Sequence, residues 1–145
     1  MTGQYQLNIQ TPGRATIDVT AEIGQLVRKS GINTGLCHVF IHHTSASLII
    51  TENADSAVRR DLENYLSRLV LDGDPNYLHD QEGPDDMSAH IRSVLTQSEI
   101  SIPICDGALA LGTWQGIFLW EHRTHPHRRK LTITCNGNHT QGGFE

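Results

Sequence analysis

The chain has little aromatic content, no excess of positive charge and no long apolar run. Phe, Trp and Tyr together make 6% of its 145 residues, and apolar residues make 37%. No stretch is apolar over the roughly 20 residues that a membrane-spanning helix requires. The segment Met1 to Gln10 also lacks the basic start and apolar run of an export signal. A soluble, cytoplasmic protein with no membrane partner is expected. Lys and Arg number 11 against 16 Asp and Glu, a net charge of -5. That balance argues against a general nucleic-acid binder, which needs cations to meet phosphates. Cysteine is sparse too. Cys37, Cys105 and Cys135 form no Cys-x-x-Cys pair, and an odd count without an export signal points to reduced thiols.

What is abundant is histidine, with nine residues. Three of them stand beside acids or in small-residue loops. His43 opens His43-Thr44-Ser45-Ala46-Ser47, His79 precedes Asp80 and Glu82, and His90 closes Asp85-Asp86-Met87-Ser88-Ala89-His90. Histidine is a common ligand for a catalytic divalent metal and a proton carrier near neutral pH.

The length suits one domain, residues 1–145, with a core that needs no staples. Alternation over Tyr5 to Gln10 and Ala15 to Val19 predicts two strands joined near Pro12-Gly13. Thr20 can cap a short helix carrying Ile23, Leu26 and Val27, stopping near Gly31. Cys37 to His43 alternates strictly, which puts Cys37, Val39, Ile41 and His43 on one face. Leu48 to Thr51 reads as a strand buried on both sides. Asp55 caps a helix whose inward stripe is Val58, Leu62, Tyr65, Leu66 and Leu69. A polar loop, Asp72 to Pro84, leads to a helix from Met87 to Gln97, with Met87, Ile91, Val94 and Leu95 inward. Ser98 to Cys105, Ile117 to His122 and Leu131 to Cys135 complete the strands. The pattern predicts an α+β domain: a largely antiparallel or mixed sheet with two or three helices packed on one face.

Each candidate residue has a plain structural reading beside its functional one. His43 should enter a cavity or interface, or be a buried neutral histidine bonded to a carbonyl. Thr44 and Ser45 can present hydroxyls and amides to an oxyanion, or merely turn the chain. His90 lies on the inward stripe of its helix, just after Asp85 and Asp86. One of those acids should cap the helix, leaving the other to orient a histidine or bind a cation. His79 sits in a polar loop, and its spacing to His90 matches no short zinc motif. Trp114 and Gln115, in a glycine-punctuated segment, offer a flat wall and a two-way amide that suit a heterocyclic ring. Glu121 ends a strand beside His122. Arg128, Arg129 and Lys130 could hold phosphate or pyrophosphate, or form a solvated hairpin tip.

The segments His43-Thr44-Ser45-Ala46-Ser47, Thr51-Glu52-Asn53-Ala54-Asp55, Glu82-Gly83-Pro84-Asp85-Asp86-Met87 with Ala89-His90-Ile91, and Leu109 to Ile117 together resemble the YjbQ-like family, also described as secondary thiamine-phosphate synthase. The likeness runs in order along almost the whole chain, and Gly112-Thr113-Trp114-Gln115 is its most specific part. The resemblance implies a compact domain that assembles as a homotrimer, with a pocket shared between subunits. It implies a weak transferase activity that joins a pyrimidine diphosphate to a thiazole phosphate and releases pyrophosphate.

On that reading His43, His79 and His90, with Asp86 as ligand or cap, hold a divalent cation, zinc or magnesium. The cation, Arg128 and Arg129 offset the leaving pyrophosphate. Thr44, Ser45 and Trp114 contact the small phosphorylated heterocyclic substrate, Gln115 bonds its ring edge, and Glu121 or His43 moves a proton. The alternatives are a metal-dependent hydrolase and a non-enzymatic, metal- or small-ligand-binding homo-oligomer.

Overall fold

The computed structural model describes residues 1–139. Its strands are β1 (Thr2–Gln10), β2 (Ala15–Asp18), β3 (Thr34–Ile41), β4 (Ala46–Glu52), β5 (Glu99–Cys105), β6 (Ala108–Leu109), β7 (Gln115–Glu121) and β8 (Arg128–Asn138). Its helices are α1 (Thr20–Ser30), α2 (Ser56–Leu69) and α3 (Asp86–Leu95). All pairings are antiparallel, and they form two sheets, β1-β8-β3-β5-β6 and β2-β7-β4. The α+β class expected from the sequence is the one observed.

The main core lies between the sheets. Val39, Ile41, Ile102, Leu131 and Ile133 of the larger sheet meet Leu48, Ile117 and Leu119 of the smaller one, with Ile23 and Val27 of α1 closing the cluster. The other face of the smaller sheet carries Ile49 and Trp120, covered by Leu62 and Leu66 of α2 and by Ile91 of α3. The period-two alternation of β7 therefore sends Ile117, Leu119 and Glu121 one way and Phe118, Trp120 and His122 the other. The two sides of one strand end thus serve different chemistry.

The first two strands are not partners. β1 pairs with β8 and β2 with β7, so the chain changes sheets at Pro12-Gly13. Gly13 has φ 120°, and a Cβ there would lie 2.7 Å from the Thr124 carbonyl oxygen, so only glycine makes the crossing. Local alternation reports strand character but not the partner strand.

Helix α1 ends as read, on Gly31 in the left-handed region at φ 72°. Its start differs: Thr20 provides no cap, and its own amide donates to Asp18 Oδ1 at 2.9 Å. Asp55 does cap α2, accepting from the Ala57 amide at 2.9 Å. Leu62 and Leu66 of that helix face the sheet, while Tyr65 and Leu69 point outward.

Helix α3 is turned relative to expectation. It buries Asp86, Ser88, Ala89, Arg92 and Ser93, and leaves Val94 and Leu95 exposed at 83% and 56%. The cause is electrostatic. Arg92 is fully buried and ties itself to Glu63 and His122, a charge arrangement that an apolar-stripe reading cannot detect.

Cys37 and Cys135, distant in sequence, are directly opposite across β3 and β8 and fully buried. Burial, reinforced by the neighbouring Cys135, pushes the Cys37 thiol up to about 12. Cys105 is exposed. Brief alkylation of the native protein at about pH 8 should therefore label Cys105 alone, because the thiolate is the reactive form. Mass spectrometry after tryptic digestion checks this, and equal labelling of Cys37 would contradict the packing of the two sheets.

Candidate functional site

Three segments converge where β7 ends and α3 begins. Asp86, in the first turn of α3, is the hub. Its Oδ2 lies 2.6 Å from His79 Nε2 and 3.1 Å from His90 Nε2, and its Oδ1 accepts from Arg123 Nη1 at 2.8 Å. One ligand atom from each of His79, Asp86 and His90 falls within 4.8 Å of the other two. Burial pushes the Asp86 carboxyl up, but the His79 hydrogen bond and the charges of His90 and Arg123 outweigh it and hold the group below its ordinary range.

The His90 ring is oriented from both sides. Its Nδ1 lies 2.9 Å from the Thr44 carbonyl oxygen, which can only accept, so Nδ1 carries a proton. Nε2 then faces a carboxylate oxygen. A bare lone pair at 3.1 Å would be repulsive there, so the position calls for a second proton or a cation.

Neither acid at the helix start caps α3. Asp85 Oδ2 accepts instead from Arg123 Nε at 3.0 Å, the Thr124 amide at 2.8 Å and Thr124 Oγ1 at 3.1 Å. Burial raises its pKa, yet the Thr124 amide and the Arg123 guanidinium hold it well below the carboxylate range. The sequence reading of one acid as a cap is therefore corrected: both are taken by Arg123, a residue with no distinguishing pattern in the sequence.

A second group adjoins the first through the 43–45 loop. Glu121 is fully buried and not solvated. It accepts from Arg129 Nε at 2.7 Å, from Arg129 Nη2, from Thr11 Oγ1 at 2.7 Å and from the Arg123 amide at 3.1 Å. Arg129 is also buried, and it donates to Ser45 Oγ at 3.0 Å. The basic run is therefore no uniform tip. Arg129 points inward from β8, and Arg128 is exposed at its first position.

His43 lies one turn of the loop past β3, half-buried, and stands outside the His79–Asp86–His90 group. Its Nε2 accepts from the Lys130 amide at 2.8 Å, so that nitrogen is already committed. Burial and the nearby Arg129 push its pKa down, which keeps the ring neutral.

Trp114 and Gln115 are elsewhere. They stand at the opposite end of the seven-residue β7 from Glu121, about 20 Å away at the usual strand rise. Trp114 is 63% exposed, and Gln115 Oε1 accepts from the Gly112 amide at 2.7 Å.

Behind Asp86 lies a buried chain that sequence reading left out. His122 Nε2 is 2.8 Å from Ser47 Oγ, its Nδ1 accepts from Arg92 Nε at 3.0 Å, and Arg92 Nη1 reaches Glu63 Oε2 at 3.0 Å. Trp120 Nε1 donates to Glu63 Oε1 at 3.0 Å. With Nδ1 accepting, His122 carries its proton on Nε2 and donates to Ser47, so it cannot act as base toward that serine. The strand alternation through Trp120 and His122 was the available signal, but it could not identify Arg92 as their partner.

The fold and site define a two-sheet α+β domain that gathers two imidazoles and a carboxylate at a helix start. The chain belongs to the family described as UPF0047 protein YjbQ-like, whose model matches residues 5–138. It is 50% identical over 134 residues to a UPF0047 protein of Synechocystis, covering 92% of this chain and 91% of that one. It is 42% identical over 135 residues to YjbQ of Escherichia coli O157:H7, covering 92% and 97%. Among solved structures it resembles a YjbQ/UPF0047 family protein of Clostridium acetobutylicum, with a TM-score of 0.81 at 35% identity, covering 92% of this chain and 98% of that one. It also resembles a protein of unknown function from Sulfolobus solfataricus, with a TM-score of 0.83 at 25% identity, covering 95% and 100%.

Burial, with Arg92 beside it, pushes the His122 pKa down to about 2. An unfolded histidine titrates near about 6.5, so on acidification the unfolded chain gains a proton that the native state refuses. Native stability tied to neutral His122 is whole above that value and falls below it, by about 1.4 kcal/mol per pH unit. In urea unfolding, the stability gap between wild type and His122→Gln should narrow at that rate between about pH 6 and pH 5. A gap independent of pH would contradict the buried neutral ring.

Proposed function

We propose that the protein is a metal-assisted transferase of the thiamine-phosphate synthase type, joining a pyrimidine diphosphate to a thiazole phosphate with release of pyrophosphate. The observation that carries this reading is the convergence of His79 Nε2, His90 Nε2 and Asp86 Oδ2, with His90 locked from behind by the Thr44 carbonyl. A ring N–H held by a backbone carbonyl is the usual support for a metal-ligating histidine. Two imidazoles and one carboxylate suit zinc better than magnesium, which prefers oxygen donors. When bound, such an ion supplies positive charge against the leaving pyrophosphate and keeps a coordination position open.

The chain's own residues then divide the remaining work. Arg123 fixes the Asp86 carboxylate from its other oxygen, so Oδ2 faces the two rings. Glu121 is a positioning residue: it holds Arg129, and Arg129 holds Ser45 in the loop that presents His43 and Thr44. His43 is neutral and half-buried, and the Lys130 amide occupies its Nε2, so its Nδ1 N–H is left to donate a hydrogen bond to the substrate. We assign phosphate contact to Arg128, a reading supported by its exposure at the start of β8.

Trp114 and Gln115 are too far from this end to serve it within one chain. We assign them to a neighbouring copy's site in a homotrimer, a reading supported by the exposure of Trp114, Val94 and Leu95.

Incubation with both phosphorylated substrates and zinc should yield thiamine phosphate and pyrophosphate in equal amounts. His90→Ala and Asp86→Asn should lose bound metal, measured by elemental analysis, together with turnover. His43→Ala should keep the metal and lose about 10- to 100-fold in kcat/KM, the worth of one hydrogen bond to a charged substrate group. Release of phosphate without the thiazole acceptor would instead mark a hydrolase. Full metal occupancy in Asp86→Asn would remove that residue from the ligand set.

A further inference from the structure

A cavity of about 300 Å³ opens between the 43–45 loop and α3, lined by His43, Thr44, His90, Ser93, Val94 and Ser98. It shares His90 with the cluster around Asp86, while His79 lines a separate cavity in the 73–84 loop. Its size is at the lower end of small-molecule sites.

One group in its wall is unexplained. Ser93 is 93% buried, and its Oγ has no hydrogen-bond partner. Buried hydroxyls are nearly always paired, because leaving one unmade forfeits its hydration without return. Within a helix, a serine commonly bonds back to the carbonyl four residues earlier. Thr96, one turn further on, does so with the Arg92 carbonyl oxygen at 2.8 Å. Ser93 does not, and its residue forms part of the cavity wall.

The rest of the lining is donor-rich. Because His43 Nε2 accepts from the Lys130 amide, the ring proton sits on Nδ1, which can donate. Thr44 and Ser98 add exposed hydroxyls. None of the six lining residues carries a carboxylate. Arg129, His42 and His127 act electrostatically on the His43 ring, opposed by Glu121. A pocket of hydroxyl and N–H donors, close to cations and free of acids, matches an oxyanion.

We propose that this cavity receives a phosphoryl group of the substrate, with Ser93 Oγ as a hydrogen-bond donor to one of its oxygens. The inference rests on the reading of His43 and Thr44 as substrate-facing residues, and it assigns the substrate's phosphate end to the α3 side of His90. It also makes Ser93 a specificity determinant, since an uncharged analogue would leave the same hydroxyl unpaired.

The test uses the full chain, treated with chelator, and inorganic phosphate as the probe. Titration followed by amide chemical shifts should move resonances of residues 43, 44, 93 and 98. Ser93→Ala should weaken phosphate binding by about tenfold or more, and Ser93→Thr, which keeps the hydroxyl, should retain it. Equal affinity in wild type and Ser93→Ala, shifts confined to another surface, or no phosphate binding would each overturn the proposal.

Asp86→Asn separates the two readings, because Asp86 is a proposed metal ligand and is not one of the six lining residues. A protein that binds phosphate through Ser93 but takes up no zinc would defeat the metal reading alone. One that takes up zinc but shows no phosphate response at Ser93 would defeat this inference alone.

Discussion

Buried charge must meet its opposite, and the end of β7 is organised around that requirement. Arg92 is held by Glu63, Arg123 by Asp85 and Asp86, and Arg129 by Glu121, with Arg14 on Asp72 at the margin. Each guanidinium meets its carboxylate at hydrogen-bond distance; at Glu121–Arg129, buried on both sides, removing either partner would strand a charge away from water, a loss of about 3–5 kcal/mol. These pairs tie α2, α3, β7 and β8 together where apolar packing thins out. They also set the rotation of α3, which presents polar groups inward and Val94 and Leu95 outward.

The site depends on that rotation. His90, four residues after Asp86, stands on the same side as its carboxylate by helix geometry, and the rotation of α3 turns that side toward the Thr44 carbonyl. Arg123 then performs two tasks with one residue. Its amide supports Glu121 and its guanidinium fixes Asp85 and Asp86. The 43–45 loop is the mechanical link between the two groups, since Thr44 steadies His90 and Ser45 steadies Arg129. Glu121 and His90 are thus joined by hydrogen bonds to one loop, although the two residues do not touch.

Much of the fold was legible in the sequence. The strand character of β3, β4, β5, β7 and β8, the Asp55 cap and the Gly31 stop follow from local rules of alternation and capping, and those rules act over a few residues. The crossing at Pro12-Gly13 was not legible, because pairing of β1 with β8 joins positions more than a hundred residues apart. In the site, His79, His90 and Asp86 were marked correctly as neighbours of one another by their acids and their helix start. The family resemblance groups His43 with them and strand parity sends it inward, but the strand ends at Ile41 and the ring accepts from the Lys130 amide instead. The sequence suggests Glu121 as a proton carrier and Arg129 as a phosphate contact, and nothing local shows that each is the other's buried partner.

Residue type and local spacing alone determined the α+β class, the richness in histidine and the place of the Asp85–His90 motif at the start of a helix, because these properties belong to short stretches of chain. The tertiary structure alone decided which imidazoles share Asp86, which arginines are neutralised inside, and that Trp114 and Gln115 lie at the far end of β7. Those facts depend on contacts between distant segments, where the cost of desolvating a charge selects the partner. That cost depends on the assembled surroundings, and a linear pattern of residues does not record it.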